Sequence, residues 1–308
     1  MNHVRESIRQ IDSQSWLISE TLLLRHMQAP SSCSASWSDG KGGFFVLSNS
    51  SGLLPSETQP LSDTGVIQKV YDAGDVSAVW RVGEAFVKVK DLGTPDATRE
   101  HNTLQYVRNK QPLSFRIPHV YYHTDLGPSR YLIVISRVAG QTLNELWYDM
   151  NEPLRQECIR RVARICTELA AWKGKAISGV DGKHLTEYYF ARAEGGYDFS
   201  SDNLLKNCKE IGMDCSSFVF YHCDLGPGNI LYDASDGSIS IIDWETAGYV
   251  PKEWICTKFR CSSGHDLPEK AGTDVEQVDW RRRVGRELIG LEFYDIVDEW
   301  LDWRTRSD

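Results

Sequence analysis

The stretch Phe218 to Gly248, FVFYHCDLGPGNILYDASDGSISIIDWETAG, constrains this chain more than any other. A short apolar run (Phe218, Val219, Phe220) leads into a polar loop that holds His222, Asp224 and Asn229. Two further apolar runs come next, Ile230-Leu231-Tyr232 and Ile239 to Ile242, separated by Asp236-Gly237. Asp-Gly between apolar runs predicts a hairpin, because glycine takes the positive φ that a tight turn demands. The returning strand ends on Asp243, so the hairpin brings Asp243 beside the loop of Asp224 and Asn229. Two carboxylates and an amide oxygen converge there. Hard oxygen ligands of this kind suit Mg2+, which takes one or two carboxylates and completes its shell with phosphate oxygens and water.

The H-x-D-x-x-x-x-N spacing followed by a strand-terminal Asp is the arrangement of kinase-like phosphotransferases. It stands here as His222-Cys223-Asp224-Leu225-Gly226-Pro227-Gly228-Asn229, with Asp243-Trp244-Glu245 downstream. The wording departs from protein kinases: Cys223 replaces Arg, Trp244 follows Asp243, and no Ala-Pro-Glu segment is present. The motifs resemble those of the aminoglycoside phosphotransferase and choline kinase-like family, especially its fungal branch, with Cys223 in place of a glycine. The resemblance covers about residues 66 to 260. It implies an α+β, bilobal protein kinase-like fold, with an antiparallel β-sheet N-lobe and a mainly helical C-lobe. It also implies ATP as donor, with GTP open, Mg2+ as cofactor, and a small hydroxylated molecule as acceptor. In such a site Asp224 holds the acceptor hydroxyl and takes its proton, while Asn229 and Asp243 hold the metal.

The domain reading is 1–62 as an N-terminal helix with a Ser/Gly/Pro-rich linker, 63–138 as the N-lobe, and 139–308 as the C-lobe. Ile8, Ile11, Trp16, Ile18, Leu22 and Leu23 show loose helical spacing, which predicts a helix over 4–27. Residues 31–62 are rich in Ser, Gly and Pro and read as irregular, with one short strand at Phe44 to Leu47. Strands are expected at Val66 to Tyr71, Val76 to Val82 and Ala85 to Val89, then at Ile117 to Val120 and Tyr131 to Ser136, completing a five-stranded antiparallel sheet. Gly74 lies in the first turn, where a lid over phosphates would place Gly74 and Ser77 near them. Thr94-Pro95 reads as a helix start. Glu100 falls on one face with Leu104 and Val107, so it points to the core side and needs a cation, for which Lys88 is the candidate. The segment Ser136-Arg137-Val138 resembles the family's hinge, whose main chain around Arg137 and Val138 meets the adenine edge.

The chain has 308 residues, a net charge of −9 and a sequence pI near 5.4, which argues against nucleic acid as a partner and is compatible with a cationic acceptor. No run reaches the length of a membrane span, and MNHVRESIRQ has no apolar leader core, so the expected compartment is the cytoplasm. Cys256, Cys261 and His265 are spaced like part of a zinc site, but no fourth ligand is evident and buried thiols are the expectation. Two other functions stay open at this level: a pseudokinase that binds nucleotide without turnover, and an enzyme that uses the fold for other chemistry.

The strand Phe86-Val87-Lys88-Val89-Lys90 decides which lysine meets the phosphates. Phe86, Lys88 and Lys90 share one face. With Lys90 as ligand, Lys88 would lie against the base, a charge in an apolar slot. With Lys88 as ligand, Phe86 packs on the ring instead. Lys88→Ala is expected to lower turnover by orders of magnitude and Lys90→Ala to be mild. The reverse ranking, in two folded variants, would refute this register.

Overall fold

The computed structural model describes residues 3–31, 35–50, 57–62, 65–127 and 129–306. The chain divides into two compact units, one of residues 1–95 with 118–137, the other of 96–117 with 138–308. The first unit contains two five-stranded sheets. Strands β1 (Ile8–Asp12), β2 (Ser15–Ile18), β3 (Leu22–Met27), β4 (Ala35–Ser38) and β5 (Phe44–Asn49) form one, in the order β1-β2-β3-β5-β4. Strands β6 (Ile67–Asp72), β7 (Ser77–Val82), β8 (Ala85–Asp91), β9 (Val120–Asp125) and β10 (Arg130–Ser136) form the other, in the order β6-β7-β8-β10-β9. All its pairings are antiparallel, as expected from the sequence.

The first sheet corrects the expected N-terminal helix over 4–27; within the expected linker β5 contains the expected strand at Phe44 to Leu47, β4 is an additional strand, and residues 32–34 and 51–56 lie outside the described residues. The helical spacing was a coincidence of two tight turns. In β3 burial alternates, with Leu22 and Leu24 buried, Leu23 less so and Arg25 exposed, which is the period of a strand. The β2–β3 turn puts Ser19 at φ 48° and Glu20 at φ 64°. Both positions want Gly or Asn, so the turn carries none of the usual hairpin wording.

What fixes this sheet is its partner. Trp16, Ile18, Leu24, Trp37 and Phe45 enter one buried cluster with Trp80, Val82, Val87, Val89, Leu132 and Val134 of the second sheet. Each such side chain is worth about 1.5–3 kcal/mol of burial. The Trp37 indole N–H donates to Val82 O (2.8 Å), and the Glu84 N–H to Ser38 O (2.9 Å). Gly83, at φ 58°, has no room for a side chain: a Cβ there would lie 2.7 Å from Ser38 O. With Val87 and Val89 turned into this core, Phe86, Lys88 and Lys90 occupy the opposite face of β8.

The second unit opens with α1 (Glu100–Arg108). It starts several residues after Thr94-Pro95, because residues 96–98 are extended: Ala97 bridges to His184, and the Thr98 N–H donates to His184 O (3.1 Å). Glu100, Leu104 and Val107 are buried together on one face, as the spacing predicts. Next come β11 (Gln141–Thr142), α2 (Leu143–Leu146), α3 (Glu152–Ala170), β12 (Lys173–Gly174), β13 (Arg192–Ala193), β14 (Gly196–Tyr197) and α4 (Ser201–Ile211). The site region contains β15 (Phe218–Tyr221), β16 (Ile230–Tyr232), β17 (Ile239–Ile241) and β18 (Gly248–Val250), and α5 (Lys252–Cys261), α6 (Asp279–Gly290) and α7 (Val297–Arg306) close the chain. Among the described residues no helix is long and apolar enough to cross a membrane.

Strand alternation gives a direct test of the corrected N-terminal segment. Leu24→Ala, at a fully buried position, is expected to cost about 3 kcal/mol in urea unfolding, and Leu23→Ala clearly less. Equal costs would contradict the strand.

Candidate active site

The Asp-Gly turn folds as its wording requires, with Gly237 at φ 73° and Ile230 paired with Ile241. Two cations hold the turn: Arg116 pairs with Asp236 (2.6 Å), and Arg161 of α3 donates to Gly237 O. Position 116 also joins the edge of β17, exchanging backbone bonds with Ile239 and Ile241. At the open end of the hairpin the Ile242 N–H donates to Asn229 O (3.0 Å), which places Asp243 beside the loop.

His222 is fully buried and ties that loop down. Its Nε2 lies 2.9 Å from Ile242 O, and its Nδ1 accepts the Asp224 N–H (3.3 Å). The ring is therefore neutral, with its proton on Nε2. Burial pushes its pKa down to about 4, against the pull of the Ile242 carbonyl and the Asp243 charge. The residue is structural, tying strand to loop rather than moving a proton.

Asn229 Nδ2 donates to both Asp224 O (2.8 Å) and Asp224 Oδ2 (3.0 Å). With the amide nitrogen committed to Asp224, the amide oxygen is the atom of Asn229 that could meet a metal. The Asp224 side chain is 46% exposed, yet its carboxyl is raised to about 6, first by desolvation and then by the Asp243 charge. Asp243 has φ 61°, a left-handed conformation that Asp tolerates better than most residues. One carboxylate oxygen from each of Asp243, Glu245 and Glu100 lies within 4.8 Å of the others, and Glu100 Oε1 accepts the Trp244 N–H (3.2 Å). Three carboxylates so close want a cation, and all are hard oxygen donors of the kind Mg2+ takes. Glu245 was not assigned a role from the sequence, although it stands in the quoted Asp243-Trp244-Glu245. At the spaced Cys256, Cys261 and His265, the Cys256 thiol faces Gly285 O (3.8 Å), and burial raises the thiols of Cys256 and Cys261.

In the first unit, Lys88 pairs in register with Val79 and Ile133, and Phe86 with Arg81 and Ile135. Gly74 takes φ 68° in the β6–β7 turn, but its N–H is donated to Asp72 Oδ1 (2.9 Å), and Asp75 is held by His3. Ser77 is buried at the start of β7. The Arg137 N–H, expected in the hinge, is likewise taken, by Glu84 O (2.9 Å).

Residues 69–251 match the model of a family described as the phosphotransferase enzyme family. No curated protein sequence matches the chain. Among solved structures, aminoglycoside phosphotransferase APH(3'')-Id from Streptomyces rimosus aligns with a TM-score of 0.51 at 15% identity, over 77% of this chain and 91% of its own. A streptomycin–ATP ternary complex of APH(2")-IIa gives 0.49 at 13% identity, over 77% of this chain and 80% of that one. The first of these likenesses, with the family match, shows the expected kinase-like fold.

Cys223 stands where the family wording has a glycine. It has φ 63°, where glycine is at ease and a side chain is strained. Its thiol is fully buried, and burial raises its pKa well above the usual value, so it is no nucleophile. Cys223→Gly is expected to keep activity and to change stability by less than about 1 kcal/mol, relief of strain offsetting lost packing. A folded, nucleotide-binding variant without activity would refute this.

Proposed function

The chain belongs to the phosphotransferase enzyme family, and we propose that it transfers the γ-phosphoryl group of ATP to a hydroxyl of a small molecule. The observation that carries this reading is the carboxylate of Asp224, held on one oxygen by Asn229 in the loop that the Ile242–Asn229 bond sets beside Asp243, two residues past β17. Asp224 orients the acceptor hydroxyl and receives its proton as the new O–P bond forms. The bond between the γ-phosphorus and its bridging oxygen breaks, and ADP leaves with that oxygen. A carboxyl lifted to about 6 is a better proton acceptor than an ordinary one and is still ionised at neutral pH.

Asn229 and Asp243 would hold Mg2+, with Glu245 as a further oxygen ligand. When bound, the ion neutralises charge on the phosphates. Lys88 is the residue assigned to the α- and β-phosphates. Phe86 is assigned to the base, Val138 to its hydrogen-bonding edge, and Glu100 to orienting the charged groups around Asp243. Gly74 and Ser77 remain candidates for covering the phosphates through their turn rather than through the Gly74 amide.

The course of the chain after Asp243 favours a small acceptor over a protein. It passes through one 3-10 turn (Trp244–Thr246) and β18 straight into α5, with no long segment for docking a peptide. The net charge of −9 suits a cationic acceptor. The cytoplasm is the proposed compartment, where ATP is supplied and the described cysteines, all free, stay reduced.

Thermal stabilisation by ATP or GTP with Mg2+, followed by turnover on a panel of small hydroxylated amines, tests the reading. Asp224→Asn is expected to keep the nucleotide-induced stabilisation and to lose about 10³-fold in turnover, or ~4 kcal/mol of transition-state stabilisation. Nucleotide binding without any turnover would favour a regulatory protein. Efficient phosphorylation of a generic protein, with none of small molecules, would overturn the acceptor class.

A further inference from the structure

His265 is fully buried, and neither ring nitrogen has a hydrogen-bond partner among the described residues. Leaving such atoms unpaired costs stability, and an apolar residue of similar volume would avoid that cost. The ring packs on Phe259 at 4.9 Å between centroids, and its Nε2 lies 3.9 Å from Asp224 Oδ1. That gap is too small for an intervening water and about one ångström too long for a hydrogen bond. The loop is shaped to allow the approach. A Cβ at Gly226 would meet Gly264 O at 2.8 Å and His265 Cδ2 at 3.2 Å, so glycine lets the loop lie directly against the histidine.

Around it stand Lys258, which with Glu187 forms a buried ion pair (2.8 Å), Arg281, and the neutral ring of His222. Burial and these cations hold His265 in its neutral form. A neutral imidazole has one N–H to offer, and Oδ1 of Asp224, 3.9 Å from Nε2, is an acceptor within a small movement of it.

We propose that His265 is a positioning residue for Asp224: its Nε2–H closes onto Oδ1 while Asn229 holds Oδ2, so that the carboxylate is fixed by both oxygens during phosphoryl transfer. Catalytic hydrogen bonds are often long before substrate binds and tighten afterwards. This rests on the phosphotransferase reading above. The ring itself neither gains nor loses a proton; it limits rotation of the group that does.

The test uses the full chain and its Mg2+-dependent hydrolysis of ATP, with water as the acceptor. His265→Leu and His265→Met remove the donor, and His265→Gln restores one near the position of Nε2. The apolar variants are expected to melt no lower than wild type and to keep KM for ATP, while kcat falls tenfold or more. Gln is expected to recover most of that loss. In an Asp224→Asn background, His265→Leu should have no further effect, because its action runs through that carboxylate. Wild-type kcat in the apolar variants, no rescue by Gln, full additivity with Asp224→Asn, or failure of both apolar variants to fold would each overturn the proposal. If wild type neither hydrolyses ATP nor is stabilised by it, or if Asp224→Asn hydrolyses at the wild-type rate, the phosphotransferase reading itself fails and takes the proposal with it.

Discussion

The hydrogen bond between the His222 ring and the Ile242 carbonyl is the constraint on which the candidate site depends. It joins the start of the polar loop to the end of the returning strand, twenty residues further along the chain. A second bond, from the Ile242 N–H to Asn229 O, closes the same junction from the other side. Together they fix the loop that carries Asp224 and Asn229 against the residue that precedes Asp243. A neutral, buried ring serves this purpose because it can accept one bond and donate another without the cost of burying a charge. Two strained backbone positions, Cys223 and Asp243, directly follow the two ends of this junction, His222 and Ile242. Strain at such positions persists only where the surroundings over-determine them, and here the ring and the ladder do so.

Beneath the loop the protein is polar where most cores are apolar. Lys258 reaches both carboxylate oxygens of Glu187 at 2.8 Å, Trp254 donates to the same carboxylate, and the ammonium sits 3.9 Å above the Tyr189 ring. A buried pair of this kind adds little to stability, since desolvation offsets most of the attraction. What it does provide is a fixed arrangement of charge, which enters the balance that sets the Asp224 carboxyl. His265 belongs to this layer and is its one member with both polar atoms unsatisfied among the described residues.

The N-terminal sheet answers a different need. A lone five-stranded sheet leaves the face of Trp80, Val82, Val87, Val89, Leu132 and Val134 open to water unless something covers it. In the first unit a second sheet does so, and the family model, which begins at residue 69, does not include it. By burying that face it also fixes which side of β8 carries Lys88.

The sequence by itself determined what depends on neighbours along the chain. The Asp236-Gly237 turn, the alternation in β7 and β8, and the shared face of Glu100, Leu104 and Val107 in α1 arise from local sterics and side-chain period, and all fold as read. The loop motif was legible for the same reason, since its spacing places Asp224, Asn229 and Asp243 through one hairpin. Tertiary structure decided the rest. Residues 8–27 became strands because the apolar face of another sheet accepts their alternate side chains, while the Ser19-Glu20 turn announces nothing. Residues 96–98 became extended because the backbone at 184 pairs with them. Glu100 meets Asp243 and Glu245, and His265 meets Asp224, across separations that no periodicity spans. Such contacts are set by the packing of whole elements, and that packing is a property of the assembled core rather than of any segment of the chain.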